Sequence, residues 1–142
     1  MRVVMQVRRA TPDDVDRVFS LASDLATSFD VEERTFKASF QQVLTDDHAL
    51  LLVVEDNKEV VGYCLGFDHV TFFANGRVAW VEEMMVSNSH RRKGAGRSLM
   101  AAFERWSAAR GAKLVALATR RAAEFYRAVG YEESATYFRK ML

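Results

Sequence analysis

The period of the apolar positions changes along the chain, and each change predicts a new element. Val3, Val4, Met5 and Val7 suit a first strand. Thr11, Pro12, Asp13 and Asp14 read as an N-cap, a first-turn proline and two acids at the positive end of a helix. Val15, Val18, Phe19, Ala22 and Leu25 then fall on one helical face, and Phe36, Phe40, Val43 and Leu44 form a second helical stripe. Leu50 to Glu55 predicts a strand, 56–58 a turn, and Val60 to Phe67 its hairpin partner. Asn75-Gly76 is a strong hairpin dipeptide and leads into a strand from Val78 to Val86. A basic, glycine-containing loop follows, then a helix over 96–110, a strand over 113–118, a helix over 122–129 and terminal strand material. The order predicts one domain over 1–142, of α/β (mixed α+β) class, with a central mixed sheet flanked by helices.

Composition narrows the classes of function. A chain of 142 residues, 49% hydrophobic and 27% charged, can bury a core without disulfides or metal. No apolar run reaches the roughly 18 residues of a membrane span, so no membrane partner is expected. Arg2, Arg8 and Arg9 surround too short an apolar patch for a secretory signal, which makes a cytoplasmic location the expectation. Cys64 is the one cysteine and sits in an apolar run, where a core role outranks a nucleophilic one. The net charge of +1 gives no argument for a nucleic-acid partner, so any anion site must be local. His48, His69 and His90 lack ligand spacing, and no metal is expected.

Such a local site is signalled by Ser87 to Arg97, which reads SNSHRRKGAGR between an apolar strand and an amphipathic helix. A helix N-terminus presents unpaired N–H groups and a positive dipole end. Gly94 and Gly96 would let the backbone approach an anion, and Arg91, Arg92, Lys93 and Arg97 add charge there. A tight turn with a solvated basic face is the competing reading of that spacing alone. A Walker loop would need Ser or Thr after Gly-Lys, and a dinucleotide fingerprint a glycine at Leu99, so neither nucleotide motif fits.

Carboxylates interrupt the apolar strand at Glu82 and Glu83. Acids are rarely buried unless paired or used, and burial makes a carboxylate a better base. Adjacent strand residues face opposite sides, so one of the two is expected to look into a given cleft. Solvation or an arginine partner would explain them equally simply. Tyr126 falls at helical spacing with Ala122, Phe125 and Val129, which by itself predicts a core tyrosine.

Arg91-x-x-Gly94-x-Gly96, placed after Glu82-Glu83-Met84-Met85-Val86 and before an amphipathic helix, resembles the acetyl-CoA motif of the GCN5-related N-acetyltransferase (GNAT) family. Phe125-Tyr126-x-x-x-Gly130-Tyr131 resembles that family's C-terminal half motif, and the element order matches over 3–142. The resemblance implies transfer of acetyl from acetyl-CoA to a primary amine in a ternary complex. It implies a pyrophosphate held by the N–H groups from Arg92 to Arg97, Ala95 included, and a pantetheine arm paired along the strand ending at Val86. It further implies Glu82 as base, Glu83 as amine ligand or substitute base, Tyr126 as acid to the thiolate, and the N–H of Met85 or Val86 as oxyanion donor. Thr119 stands where many relatives carry a cofactor-contacting asparagine.

On the acceptor side, Asp30, Glu32 and Glu33 could attract a cation, although acids at a helix start suit the dipole alone. Phe72 and Phe73 are read as a wall of the acceptor site, a dimer contact or hairpin packing. A small-molecule or peptide amine is the expected partner. Relatives are often homodimers, with Ala135 to Leu142 as the segment for strand exchange or packing. The alternative reading is a non-catalytic domain that binds acetyl-CoA for regulation.

Overall fold

A computed structural model describes residues 5–142, so the expected start of the first strand at Val3 and Val4 lies outside the described residues. Strand β1 (Met5–Arg9) leads through a short 3-10 turn, Pro12–Asp14, into α1 (Val15–Leu25). Helix α2 (Glu33–Leu44) follows, then β2 (Ala49–Asp56), β3 (Glu59–Thr71), β4 (Gly76–Val86), α3 (Ala95–Ala109), β5 (Val115–Leu117) and α4 (Ala123–Ala128). The strands lie in the sheet in chain order, antiparallel from β1 to β4, with β5 parallel to β4. This is the mixed sheet with flanking helices that the pattern predicts.

Alternation along the strands sends side chains into two cores. Helices α1 and α2 cover one face, where Val18, Leu21 and Phe40 meet Val53 and Tyr63. Helices α3 and α4 cover the other, where Leu99, Phe103 and Tyr126 meet Leu52, Val61 and Cys64. Leu99 and Phe103 are fully buried, and each contributes roughly 1.5–3 kcal/mol of hydrophobic stabilisation. Between them the two helical layers bury the centre of the sheet on both sides, as the unbroken apolar run of β2 requires.

The N-terminal acids do more than meet a helix dipole. Asp14 accepts the Thr11 N–H at 2.8 Å and both terminal nitrogens of Arg8, at 2.7 and 2.9 Å. Those Arg8 bonds hold its carboxyl below the usual range and tie the start of α1 to β1.

Two places depart from the predicted outline. Residues 131–142 form no strand, although strand material was expected there. Tyr137, Phe138, Met141 and Leu142 are exposed, and Arg139 donates to Ser28 Oγ at 3.1 Å. Strand propensity is realised only against a partner edge, and this tail meets none among the described residues. The second departure is in β4, where the register against β3 slips between Leu65 and Gly66: Leu65 faces Glu83 while Gly66 faces Val81. Glu82 is therefore the extra residue of a β-bulge.

The bulge changes the expectation that Glu82 and Glu83 face opposite sides. Val81 and Met84 both pack in the α3/α4 core although they are three positions apart, which strict alternation forbids. The extra residue absorbs the mismatch. Glu83 turns to the α1/α2 side, and Glu82 is left exposed at the bend.

Candidate active site

Parallel pairing of β4 with β5 covers only Ala79–Val81 against Val115–Leu117, while β4 continues to Val86. Strand β5 ends at Leu117, opposite Val81, so from the bulge onward that edge of β4 has no strand partner among the described residues. Ser87 N–H donates to the Val61 carbonyl at 2.8 Å, which fixes the alternation of hydrogen-bonded pairs between β3 and β4. Val86, opposite Gly62, and Met84, opposite Cys64, then direct their N–H and C=O groups away from β3 into the gap. Met85 directs its own into β3, with its carbonyl oxygen 2.9 Å from where a Cβ on Gly62 would lie. Of Met85 and Val86, both named as backbone donors from the sequence, only Val86 faces the opening.

The basic loop closes one end of this gap. Arg92 (φ 63°) and Gly94 (φ 89°) are left-handed, and a Cβ on Gly94 would meet nothing within 4 Å. Helix α3 starts at Ala95, and its first backbone bond at this end is Ser98 N–H to the Gly94 carbonyl, 3.0 Å. The N–H groups of Ala95, Gly96 and Arg97 thus have no intrahelical acceptor. Arg92, Lys93 and Arg97 are exposed around them. These donors and cations fit a diphosphate.

Two residues of the motif also serve the fold. Arg91 Nε donates to the Val86 carbonyl at 3.2 Å and so ties the loop to the end of β4. Gly96 leaves room for α4: a Cβ there would lie 3.1 Å from the Phe125 ring. His90 also holds the loop, bonding Ser87 Oγ at 2.9 Å and lying 3.2 Å from Asp56.

Glu83 lies on the other side of β4, in a cavity of about 540 Å³ between α1, α2 and the sheet. Tyr63 Oη donates to its Oε1 at 2.8 Å. The tyrosine is 1% exposed, and burial followed by the nearby Glu83 charge pushes its pKa well up, so it stays a donor. Tyr63 was not singled out from the sequence. A tyrosine inside the apolar run of β3 was the available signal; it lies opposite Met85, two residues along from the partner of Glu83.

Tyr126 packs edge-on against Phe125 in the α3/α4 core, and its hydroxyl bonds to no protein atom among the described residues. Burial raises its pKa to about 12, so it carries its proton at neutral pH. Cys64, also in that core, is pushed up to about 12 by burial and stays a thiol, as its core reading expects. Thr119 Oγ1 accepts the Ala122 N–H at 3.1 Å and caps the turn into α4. Phe72 and Phe73 are 99% and 77% exposed at the β3–β4 tip and do not line the cavity, which removes ordinary hairpin packing as their role. Among the described residues no group of three or more His, Cys, Asp or Glu side chains is placed to hold a metal, and no helix is long and apolar enough to cross a membrane.

Solved structures share this fold over nearly the whole chain. A transcriptional regulator from Bacillus halodurans C-125 is 21% identical with a TM-score of 0.86, over 98% of this chain and 100% of the other. An aminoglycoside N-acetyltransferase, AAC(6')-Iy, solved with CoA, is 20% identical with a TM-score of 0.85, over 100% and 98%. Glucosamine-6-phosphate N-acetyltransferase from Arabidopsis thaliana is 18% identical with a TM-score of 0.84, over 97% and 98%. Comparison with curated proteins by sequence gives no significant match. The sequence model of the Acetyltransferase (GNAT) family matches residues 15–131, and with the half-paired β4, the bulge and the loop at α3 already in place, the chain belongs to that family of acetyl-transferring enzymes.

Proposed function

We propose that the protein transfers an acetyl group from acetyl-CoA to a primary amine by direct attack in a ternary complex. The observation that carries this is the unpaired edge of β4: it runs from the diphosphate-binding loop to the bulge, beside the cavity that holds Glu83. In this reading the N–H groups of Ala95 to Arg97, with Arg92, Lys93 and Arg97, hold the pyrophosphate. The outward backbone groups of Met84 and Val86 pair with the extended arm like an added strand. Acetyl-CoA supplies an activated thioester carbon. A C–N bond forms to the amine as the C–S bond breaks.

Ammonium is the resting form of an amine of pKa about 10, so a proton must leave before attack. Glu83 reaches the cavity and takes that proton, directly or through a water, with Tyr63 fixing one of its oxygens. This gives the base role to Glu83, the substitute that the family resemblance allows, in place of Glu82, because the bulge leaves Glu82 exposed outside the cavity. Of the outward groups of Met84 and Val86, the Met84 N–H, at the bulge end of the arm, is the donor placed for charge developing on the acetyl oxygen, which leaves the Val86 N–H and the Met84 carbonyl to pair with the arm. Tyr126 Oη holds a proton for the departing sulfur, and its unshared hydroxyl supports that role over a purely packing one. Products are the amide and free CoA.

Support for a small-molecule amine comes from the neighbours named for aminoglycosides and glucosamine 6-phosphate. The regulatory alternative has a neighbour named as a transcriptional regulator, but a domain that only binds cofactor has no use for an ordered carboxylate in an adjoining cavity. Exposed Tyr137, Phe138, Met141 and Leu142 on a strandless tail support a homodimer in which that tail finds an edge on a second copy.

Thiol release with a panel of primary amines tests the reading. Glu83→Gln is expected to lower kcat/KM by about 100-fold or more and Glu82→Gln by less than tenfold. The reverse order would move the base to Glu82. Undiminished activity in both variants would remove carboxylate catalysis.

A further inference from the structure

The walls of the cavity beside Glu83 restrict what can enter it. Ten of its sixteen lining residues are aliphatic or phenylalanine, contributed by both helices and the sheet. Phe36 and Phe40 stand on one wall, their rings 5.8 Å apart, with Phe19 stacked 5.3 Å behind Phe36. Leu25, Val43 and Leu65 complete the apolar surface. The polar lining is neutral or acidic: the hydroxyls of Thr35, Ser39 and Tyr63, and the carboxylates of Asp30, Glu32 and Glu83. Among the described residues neither lysine, arginine nor histidine lines it.

The acids are divided between entrance and floor. Asp30 and Glu32 are exposed, and Glu83 is half-buried against Tyr63. Glu33 is spent elsewhere, 3.3 Å from Lys37. Acids at a helix start suit the dipole, but Asp30 lies before α2 and borders the cavity, which a dipole alone does not require. A cation is therefore attracted at the mouth and met again at the floor, while the space between is hydrocarbon.

We propose that the acceptor is a primary amine carried on an apolar body, an alkyl- or aralkylamine. This rests on the acetyl-transfer reading for its chemistry and on the cavity for its class. A phosphorylated amine finds no cation to pair with inside. A polyhydroxylated amine would set many of its hydroxyls against hydrocarbon, a desolvation loss that the three hydroxyls and three carboxylates of the lining offset only in part. An apolar body reverses both terms: it gains by leaving water and leaves one charged end for Glu83.

Calorimetric titration of the unmodified protein with n-butyl-, n-hexyl- and n-octylamine, 2-phenylethylamine, kanamycin and glucosamine 6-phosphate tests this without turnover. Each added methylene is expected to tighten binding about threefold to fourfold until the cavity is filled. Phenylethylamine should bind and the two polar amines should not. Phe36→Ala should weaken octylamine more than butylamine while leaving acetyl-CoA affinity unchanged. Affinity that is flat with chain length, or highest for kanamycin or the phosphosugar, overturns the class even if acetyl-CoA binds and acetyl transfer stands. Chain-length dependence in a protein that binds no acetyl-CoA upholds the cavity's preference while removing the acetyl-transfer reading, so the two failures are distinct.

Discussion

Replacing Gly66 by alanine probes the junction on which the site depends. A Cβ at Gly66 would overlap the Phe103 ring and sit 2.8 Å from the Trp80 carbonyl oxygen. Phe103 is fully buried, so its ring has no free space to enter, and the carbonyl belongs to β4 at the register shift. Overpacking of this kind costs about 3 kcal/mol, the upper end of its usual range, because both obstacles are fixed. Loss of glycine's freedom in the unfolded chain returns about 0.7 kcal/mol. The net destabilisation is about 2 kcal/mol, which for a domain of this length lowers Tm by about 7 °C. Gly94→Ala is the control, since its Cβ meets nothing and only the left-handed φ of 89° opposes it, at about 1 kcal/mol. Thermal unfolding followed by circular dichroism should rank Gly66→Ala below Gly94→Ala. If Gly66→Ala is the more stable of the two, the tight approach of α3 to the bulge is wrong.

Tyr126→Phe should reduce kcat in the thiol-release assay by about 100-fold or more while acetyl-CoA affinity stays the same. Its Tm should change little, because the hydroxyl bonds to no protein atom; a fully active variant would leave Tyr126 a core residue only. Asp68 is 3% exposed and faces Arg110, Arg77 and His48. Burial pushes its pKa up, but the Arg110 and His48 bonds and the arginine charges outweigh this and leave it lowered. Its stabilisation is therefore complete above the unfolded carboxylate value of about 3.9 and is lost as pH falls through the lower folded value. In urea titrations Asp68→Asn should be less stable by about 3 kcal/mol at pH 7, and the gap should narrow below pH 4. A gap independent of pH would contradict that assignment.

What the sequence revealed and what it hid divide by range. The loop from Ser87 to Arg97 was legible because a phosphate cradle is local: a strand end, glycines and a helix start are adjacent in the chain. Amphipathic stripes such as Leu99 and Phe103 were legible for the same reason. The bulge at Glu82 was not, because it is set by β3 across the sheet and by Gly66 making room for Phe103. Without the bulge the two glutamates could not be told apart. The structural contacts of Arg91 and Gly96, to Val86 and Phe125, were not legible either, because only the folded chain brings those partners near. The terminal segment kept a strand's composition without an edge to join. Asp68 sat unnoticed in an apolar run of β3, although an acid in such a run carries the signal that drew attention to Glu82 and Glu83.

Calorimetric titration with acetyl-CoA, of the unmodified protein and of Gly94→Glu, tests the central claim most directly. Glutamate at 94 adds a negative charge and an L side chain to a left-handed position at the start of α3. The account predicts micromolar binding by the unmodified protein, weakened by at least about tenfold in a folded Gly94→Glu. A folded protein that binds no acetyl-CoA, or a variant that binds it equally well, would contradict the account.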